Sequence, residues 1–333
     1  MKTLSLKWPS PSGSSASKPS PVSTLINRLM RGLGLPVLGI GAFLLIWSVA
    51  ASHINTALGK FPGPVAVGQQ IVNMYEQYQH AEAKRARFYQ RQEKINAQRV
   101  AQDPSYKPRI FPYTGPPTFI DRIKTSLITV LSGFLLASLI AIPVGIVLGL
   151  SASMYAMANP IIQLFKPVSP LAWLPLVTLV IAAVYTHVNP LFPKAYVVSM
   201  ITVMLCALWP TIVNTAIGVA SIPQDLRNVS KVLRLGWFTY VRKIVLPSSL
   251  PMMFAGLRLS LSISWMVLIA AEMLAQNPGL GMFVWDEFQN GSSQSLSRIM
   301  VAVIVIGLIG YLLDRTMLLL QRLISWDKKA VLR

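Results

Sequence analysis

Cysteine is nearly absent from this chain. Cys206 is the single thiol in 333 residues, so no intrachain disulfide can form and a thiolate metal site has no ligands to draw on. Histidine is almost as scarce, and His53, His80 and His187 are scattered without the spacing of a ligand set. Charged residues make up 12% of the chain, about half the share of a soluble domain. Acids are the scarcer sign: 11 Asp and Glu stand against 30 Lys and Arg, a net charge of +19. No Gly-x4-Gly-Lys-Ser/Thr phosphate loop occurs, so ATP hydrolysis is not expected of this chain. The clustered His, Asp or Cys of a membrane-embedded enzyme are missing as well. No catalytic residue, metal ligand or resident cofactor is therefore expected.

Apolar runs are what the sequence has in quantity. Hydrophobic residues make up 53% of the chain, in runs long enough for the roughly 20 residues that a spanning helix needs. The expectation is an all-α integral membrane protein with six transmembrane helices, at about 36–52, 125–150, 168–187, 195–219, 250–275 and 299–320. The first follows a Ser/Pro-rich tail, residues 1–35, that carries Lys2, Lys7, Lys18, Arg28 and Arg31. Ser48-Val49-Ala50 resembles a cleavage site, but the apolar core exceeds the roughly 7–15 residues of a signal peptide, so a retained anchor is expected.

A positive balance points to nucleic acid where the charges form one face; between spans it reports orientation instead. Segment 220–247 carries Arg227, Lys231, Arg234, Arg242 and Lys243 against Asp225 alone. The tail 324–333 adds Lys328, Lys329 and Arg333, just past Arg322, whereas 276–297 has no Lys or Arg and holds Asp286 and Glu287. Both termini and the 220–247 loop are thus expected in the cytoplasm, and no nucleic-acid partner is expected. Residues 53–124, with eleven basic residues against five acids, then fall outside; segments this long cross largely regardless of charge. Within them, 66–100 is rich in Gln, Glu, Ala and Arg and is expected as one long polar helix, either a solvated face or a docking surface.

Two stretches break the pattern of plain spans. The third opens KPVSPLAWLPL, and Pro167, Pro170 and Pro175 free carbonyls that lipid cannot satisfy. It is either a broken helix beside a transport route or an ordinary kinked entrance. The other is 221–247. Ser221-Ile222-Pro223-Gln224 has the spacing of a capping box, and Ile222, Leu226, Val229 and Leu233 recur as one helical stripe. Gly236 is read as the stop. WFTYVRKIVL follows, with Trp237, Tyr240, Val241 and Ile244 on one face and Pro247 as its end. A compact two-helix element results, either lying on anionic headgroups or docking a cytosolic protein.

At these residues the chain resembles the permease subunits of ABC importers, in which a Gly followed by an Ile/Val-x-Leu-Pro ending marks coupling helices. Here the ending is Ile244-Val245-Leu246-Pro247 after Gly236. SPLAWLP (169–175), LWPTIVNT (208–215), IPQDLRNVSKVLRL (222–235), LPSSLPMMFAGLRL (246–259), SWMVLIAAEML (264–274) and GLGMFVWDEF (279–288) narrow the resemblance to the nitrate/bicarbonate/cyanate branch. It implies a type I importer permease fold over 125–323 and a coupling loop at 221–247 in a bacterial inner membrane. The implied partners are two cytosolic ATPases that bring ATP and Mg, an external solute-binding protein, membrane lipid, and a second copy of the chain. ATPase contact then falls to Gln224, Asp225, Asn228, Lys231, Arg234, Leu235, Gly236 and Trp237. The implied cargo is nitrate or nitrite, with bicarbonate, cyanate or an organic sulfonate as alternatives; a non-transporting anchor and a membrane-embedded enzyme are the rivals from other classes. The sequence departs from the family where Ser230-Lys231-Val232 replace the Glu-Ala-Ala that opens the loop motif, and the outer segment 66–120 is longer than in its relatives.

Polar residues inside spans are site candidates because an unpaired charge is costly there. Glu272 is read either as a gate or as an interfacial carboxylate paired with a basic group. Arg258 either lends positive potential to an anion path or bonds freed carbonyls. Asp314 and Arg315 are expected near the water interface. Ser260, Ser262 and Ser264 either offer hydroxyl donors or let helices approach. With Trp173 and Trp265, the path candidates are Trp173, Arg258, Ser262, Trp265 and Glu272.

Overall fold

The structure, a computed structural model, describes residues 34–56, 59–103, 105–186, 191–292 and 294–324. The basic residues expected in the tails (Lys2, Lys7, Lys18, Arg28, Arg31, Lys328, Lys329 and Arg333) lie outside these, as does His187. Helix α1 (Leu35–His53) leads into a minimal hairpin, β1 (Asn55–Thr56) antiparallel to β2 (Gly59–Lys60). Helix α2 (Pro64–Gln102) follows, then α3 (Phe119–Leu150), α4 (Ala152–Phe165), α5 (Pro170–Val184) and α6 (Lys194–Ala220). Two short helices, α7 (Gln224–Val232) and α8 (Trp237–Tyr240), lead through a π-helical turn (Val241–Val245) into α9 (Leu246–Ala275). Helices α10 (Leu280–Asn290) and α11 (Ser295–Ile324) complete the fold.

Among the described residues five helical runs are long and apolar enough to cross a membrane, and the count reaches six only if α4 and α5 are taken as one bent span. The third expected span, 168–187, is one helix, α5, but it is joined at 97° to α4, a helix that was not expected. Ser169 Oγ accepts from the Leu171 N–H to start α5, with Pro170 in its first turn. At 15 residues α5 is about 22 Å long, short of the roughly 30 Å hydrocarbon core. Prolines punctuate the backbone here as expected, but α4 was not read from the sequence because its apolar residues run straight into the next segment.

The core is built on α6, which lies between α3 and α9. Small residues bring the backbones together: Gly133, Ala137, Ala141, Gly145 and Gly149 recur every four residues along α3, on the face toward α6. A Cβ on Gly145 would stand 2.6 Å from Thr215 Cβ and 2.9 Å from the Ile212 carbonyl oxygen. One on Gly149 would meet the Ala216 carbonyl at 2.6 Å. On the other side Gly256 of α9 admits Asn214 in the same way. By contrast α1 is exposed along nearly its whole length, which suits a helix surrounded by lipid.

The long polar helix is present as α2, 39 residues and about 58 Å long. Val67 and Met74 from its first half pack with Phe283, Val301 and Ala302 of α10 and α11. Its second half is lined by the returning chain: the Gln92 side chain pairs with both backbone groups of Phe111, and Asn96 donates to the Arg109 carbonyl. Arg85 bonds Asp121, which also closes a capping box with Thr118 at the start of α3. That box extends α3 six residues before the expected start at 125.

Candidate functional site

The loop after α6 departs from the expected geometry in three places. Ser221 does not cap α7: its Oγ donates back to the Gly218 carbonyl, and Pro223 holds the N-cap position without a side-chain bond. Gly236 is not the stop. Arg234 takes the left-handed conformation at φ 46°, while the Leu235 N–H reaches the Ser230 carbonyl at 3.0 Å and the Arg234 N–H the Lys231 carbonyl at 3.1 Å. This is a Schellman closure with arginine where glycine is usual. Gly236, at φ −65° and ψ 155°, instead begins α8. Nor does Pro247 end the second helix, because the π turn widens the ladder just ahead of it and helical structure runs on to Ala275. The loop is thus fused to a spanning helix without a hinge.

Of the residues assigned to ATPase contact, Gln224, Asp225, Asn228, Lys231, Arg234, Gly236 and Trp237 are exposed and Leu235 is half-buried. The expected stripe divides. Ile222 is buried with Val219 and Val245, whereas Leu226, Val229 and Leu233 face outward. Tyr240, Val241 and Ile244 pack against that same cluster, but Trp237 does not share their face. Sequence reasoning passed over Val232 and Phe238, which are 81% and 71% exposed. Their signal was present: apolar residues in a basic segment too short to bury them. Arg227 turns inward, donating to the Val219 and Ala220 carbonyls at the end of α6.

The path candidates do not converge on one site. Glu272 is fully buried and forms no direct ion pair among the described residues, Arg122 acting on it only through its charge: Ser126 Oγ lies 2.8 Å from both its oxygens, and the Gly281 N–H donates to it at 3.0 Å. Ser126 also accepts from the Leu280 N–H, and Asn277 Nδ2 donates to Thr129, so the carboxylate fastens the turn between α9 and α10 onto α3. A water-exposed carboxylate paired with a basic group is not what the structure holds. Arg258 pairs with Asp314 through Nε and, at 2.8 Å, through Nη2, and both side chains are part-exposed. Trp265 is buried, donating to the Ile306 carbonyl at 3.0 Å, and Ser262 donates to the Arg258 carbonyl in its own helix. Ser260 and Ser264 likewise spend their hydroxyls on neighbouring helix atoms.

Trp173 differs. It lines a cavity of about 260 Å³ between the α4–α5 bend, α6 and α9, together with Lys166, Cys206, Trp209 and Asn214. Trp209 and Asn214 were not singled out as site residues; two tryptophans on separate proline-marked segments were the available signal. Among the described residues no group of three or more His, Cys, Asp or Glu is placed to hold a metal ion.

A glycine-seamed bundle with a bent helix pair and a projecting two-helix loop is the architecture of a type I ABC importer permease. The chain belongs to the family described as binding-protein-dependent transport system inner membrane component, whose profile matches residues 141–326. It is 38% identical over 204 residues to the nitrate import permease NrtB of Synechococcus elongatus, covering 61% of this chain and 69% of that protein. It is 35% identical over 296 residues to the bicarbonate transport system permease CmpB of the same species, covering 87% and 89%. Its fold is similar to a chain of the inward-facing MetNI methionine ABC transporter, with TM-score 0.52 and 16% identity over 62% of this chain and 96% of that one.

Proposed function

We propose that the chain is the membrane subunit of an ATP-driven importer for a small, planar, monovalent oxyanion, with nitrate as first cargo. The observation that carries the reading is the pair of relatives: permeases named for nitrate and for bicarbonate both match, and the two anions share a trigonal centre and one negative charge. Identity favours nitrate, 38% against 35%. Length of match favours bicarbonate as the second reading, 296 residues against 204.

The loop of α7 and α8 receives the ATPases, which bring ATP and Mg. Val229, Val232, Leu233 and Phe238, left bare among Lys231, Arg234 and Arg242, support that assignment. The same basic residues support a cytoplasmic loop and a location for α2 on the opposite face. An external solute-binding protein supplies the anion, and a second copy of the chain completes the path. Because α8 continues into α9, displacement of the loop by the ATPases moves a spanning helix directly, which suits alternating access.

Vesicles holding the complex with its ATPases and solute-binding protein should accumulate labelled nitrate or bicarbonate only when ATP is supplied to the ATPase side. Accumulation of neither anion, or accumulation without ATP, would overturn the reading.

A further inference from the structure

Where α2 meets the bundle, cations are matched by acids. Arg122 faces Asp286 at 3.0 Å and Arg298 faces Glu287 at 2.9 Å. Arg85, midway along α2, bonds Glu82 at 2.8 Å and Asp121 at 3.2 Å. Past Arg85 the partner of α2 changes from the bundle to the returning chain. Gln92 is bonded to Phe111, Asn96 to Arg109, and Arg99 to the Tyr106 hydroxyl, while the Tyr89 hydroxyl accepts from the Tyr113 N–H. The Phe88 ring meets that of Tyr113 at 5.4 Å. From Arg85 to Gln102 the helix makes an arm about 25 Å long.

This arm carries a row of unmatched cations. Lys84, Arg87, Arg91 and Lys94 recur at spacings of three, four and three, one helical stripe about 15 Å long. All four are exposed, and among the described residues none is in an ion pair or a side-chain hydrogen bond. The acids of α2 do not answer them. Glu82 is taken by Arg85, Glu93 lies roughly 100° around the helix from Lys94, and Glu76 is more than two turns before Lys84. Like charges three and four residues apart weaken a helix, so stability of the arm does not account for the row.

Three anionic partners fit a cationic stripe differently. A bilayer surface needs a broad apolar face beside the cations. Here Phe88, Gln92 and Asn96 spend the inner face on the returning chain, and past Arg85 only Tyr89, Ile95 and Val100 are exposed large apolar residues of α2. A small monovalent ion is held weakly by exposed cations in water, where a pair is worth at most about 1 kcal/mol. An acidic protein face offers several carboxylates at fixed spacing, and such complementary rows speed encounter and set register.

We propose that the stripe Lys84, Arg87, Arg91 and Lys94 is a docking surface for an acidic face of the external solute-binding protein. This rests on the importer reading above, which supplies that partner and puts α2 on its side of the membrane; the family is itself described as binding-protein-dependent.

The test uses the assembled complex in vesicles, with the solute-binding protein of the uptake assay as probe. All four cations are changed to Glu in one variant and to Gln in another. The concentration of solute-binding protein that half-maximally stimulates ATP hydrolysis should rise about tenfold in the Glu variant and less in the Gln variant, with the basal and saturated rates unchanged. Salt should raise it in the wild type and have less effect on the Glu variant. A rise below threefold in the Glu variant overturns the proposal. So does a rise seen only when phosphatidylglycerol is added to phosphatidylcholine vesicles, which marks a lipid contact. A higher half-saturating nitrate concentration at saturating solute-binding protein also overturns it, because the stripe then acts on the anion itself. If the Glu variant fails to assemble, the Gln variant decides: a rise of threefold or more supports docking and a smaller one refutes it. A wild-type complex that moves neither nitrate nor bicarbonate refutes the function, an outcome distinct from failure of the stripe alone.

Discussion

The seam between α3 and α6 and the loop that follows α6 use the same apolar residue types to opposite ends. In the seam, Val130, Ala137, Ala141, Val203 and Ala207 are all but inaccessible, and glycines draw the backbones into contact. In the loop, Val229, Val232, Leu233 and Phe238 stand bare a few residues from the end of α6. The hydrocarbon core accounts for exposed apolar residues along a spanning helix; among Lys231, Arg234 and Arg242 such residues suit either anionic headgroups or a protein surface. The seam is finished within the chain; the loop is not.

The largest expected effect breaks the seam. Gly145→Leu drives a side chain into Thr215 and the Ile212 carbonyl, and overpacking of this kind costs about 3 kcal/mol. Purified yield and the thermal midpoint in detergent should both collapse. Next is Glu272→Gln, which sets an amide donor against the Ser126 hydroxyl or the Gly281 N–H and costs about 2 kcal/mol. Its thermal midpoint should fall, and Glu272→Ala should fall no less. Arg258→Gln should be milder, about 1 kcal/mol, because the pair is part-exposed at 42% and 27%. Asp314→Asn in the same chain should recover most of that loss if the pair is structural, and transport should follow stability. The smallest change sharpens the loop side: Arg234→Gly relieves a left-handed arginine and should raise stability by about 0.5 kcal/mol, read as a higher thermal midpoint of the solubilised chain.

Much of the architecture was legible because long apolar runs and prolines are local signals. The ends of α6, the helix at α2 and the break near Pro170 all followed from them. The loop's inner geometry was not, since Gly236 and Arg234 are two residues apart and only tertiary context decides which takes positive φ. Pro247 misled for a related reason: a π turn just before it absorbs the missing donor, and no residue in VRKIV announces that. Among the path candidates, single-residue polarity pointed to Arg258 and Glu272, but both find partners on elements far along the chain. Trp209 was invisible as a site residue because its relation to Trp173 exists only after α4 and α5 fold back beside α6.

The central claim is that the bare apolar residues of the loop form the seat of a partner ATPase. Capture of the ATPase subunit by the detergent-solubilised chain, wild type against Val232→Asp with Phe238→Asp, tests it most directly. The account predicts that the wild type retains the ATPase and the variant loses it, with helix content and thermal midpoint unchanged because neither side chain is packed. Equal capture by both would contradict it and leave the loop as a surface for some other contact.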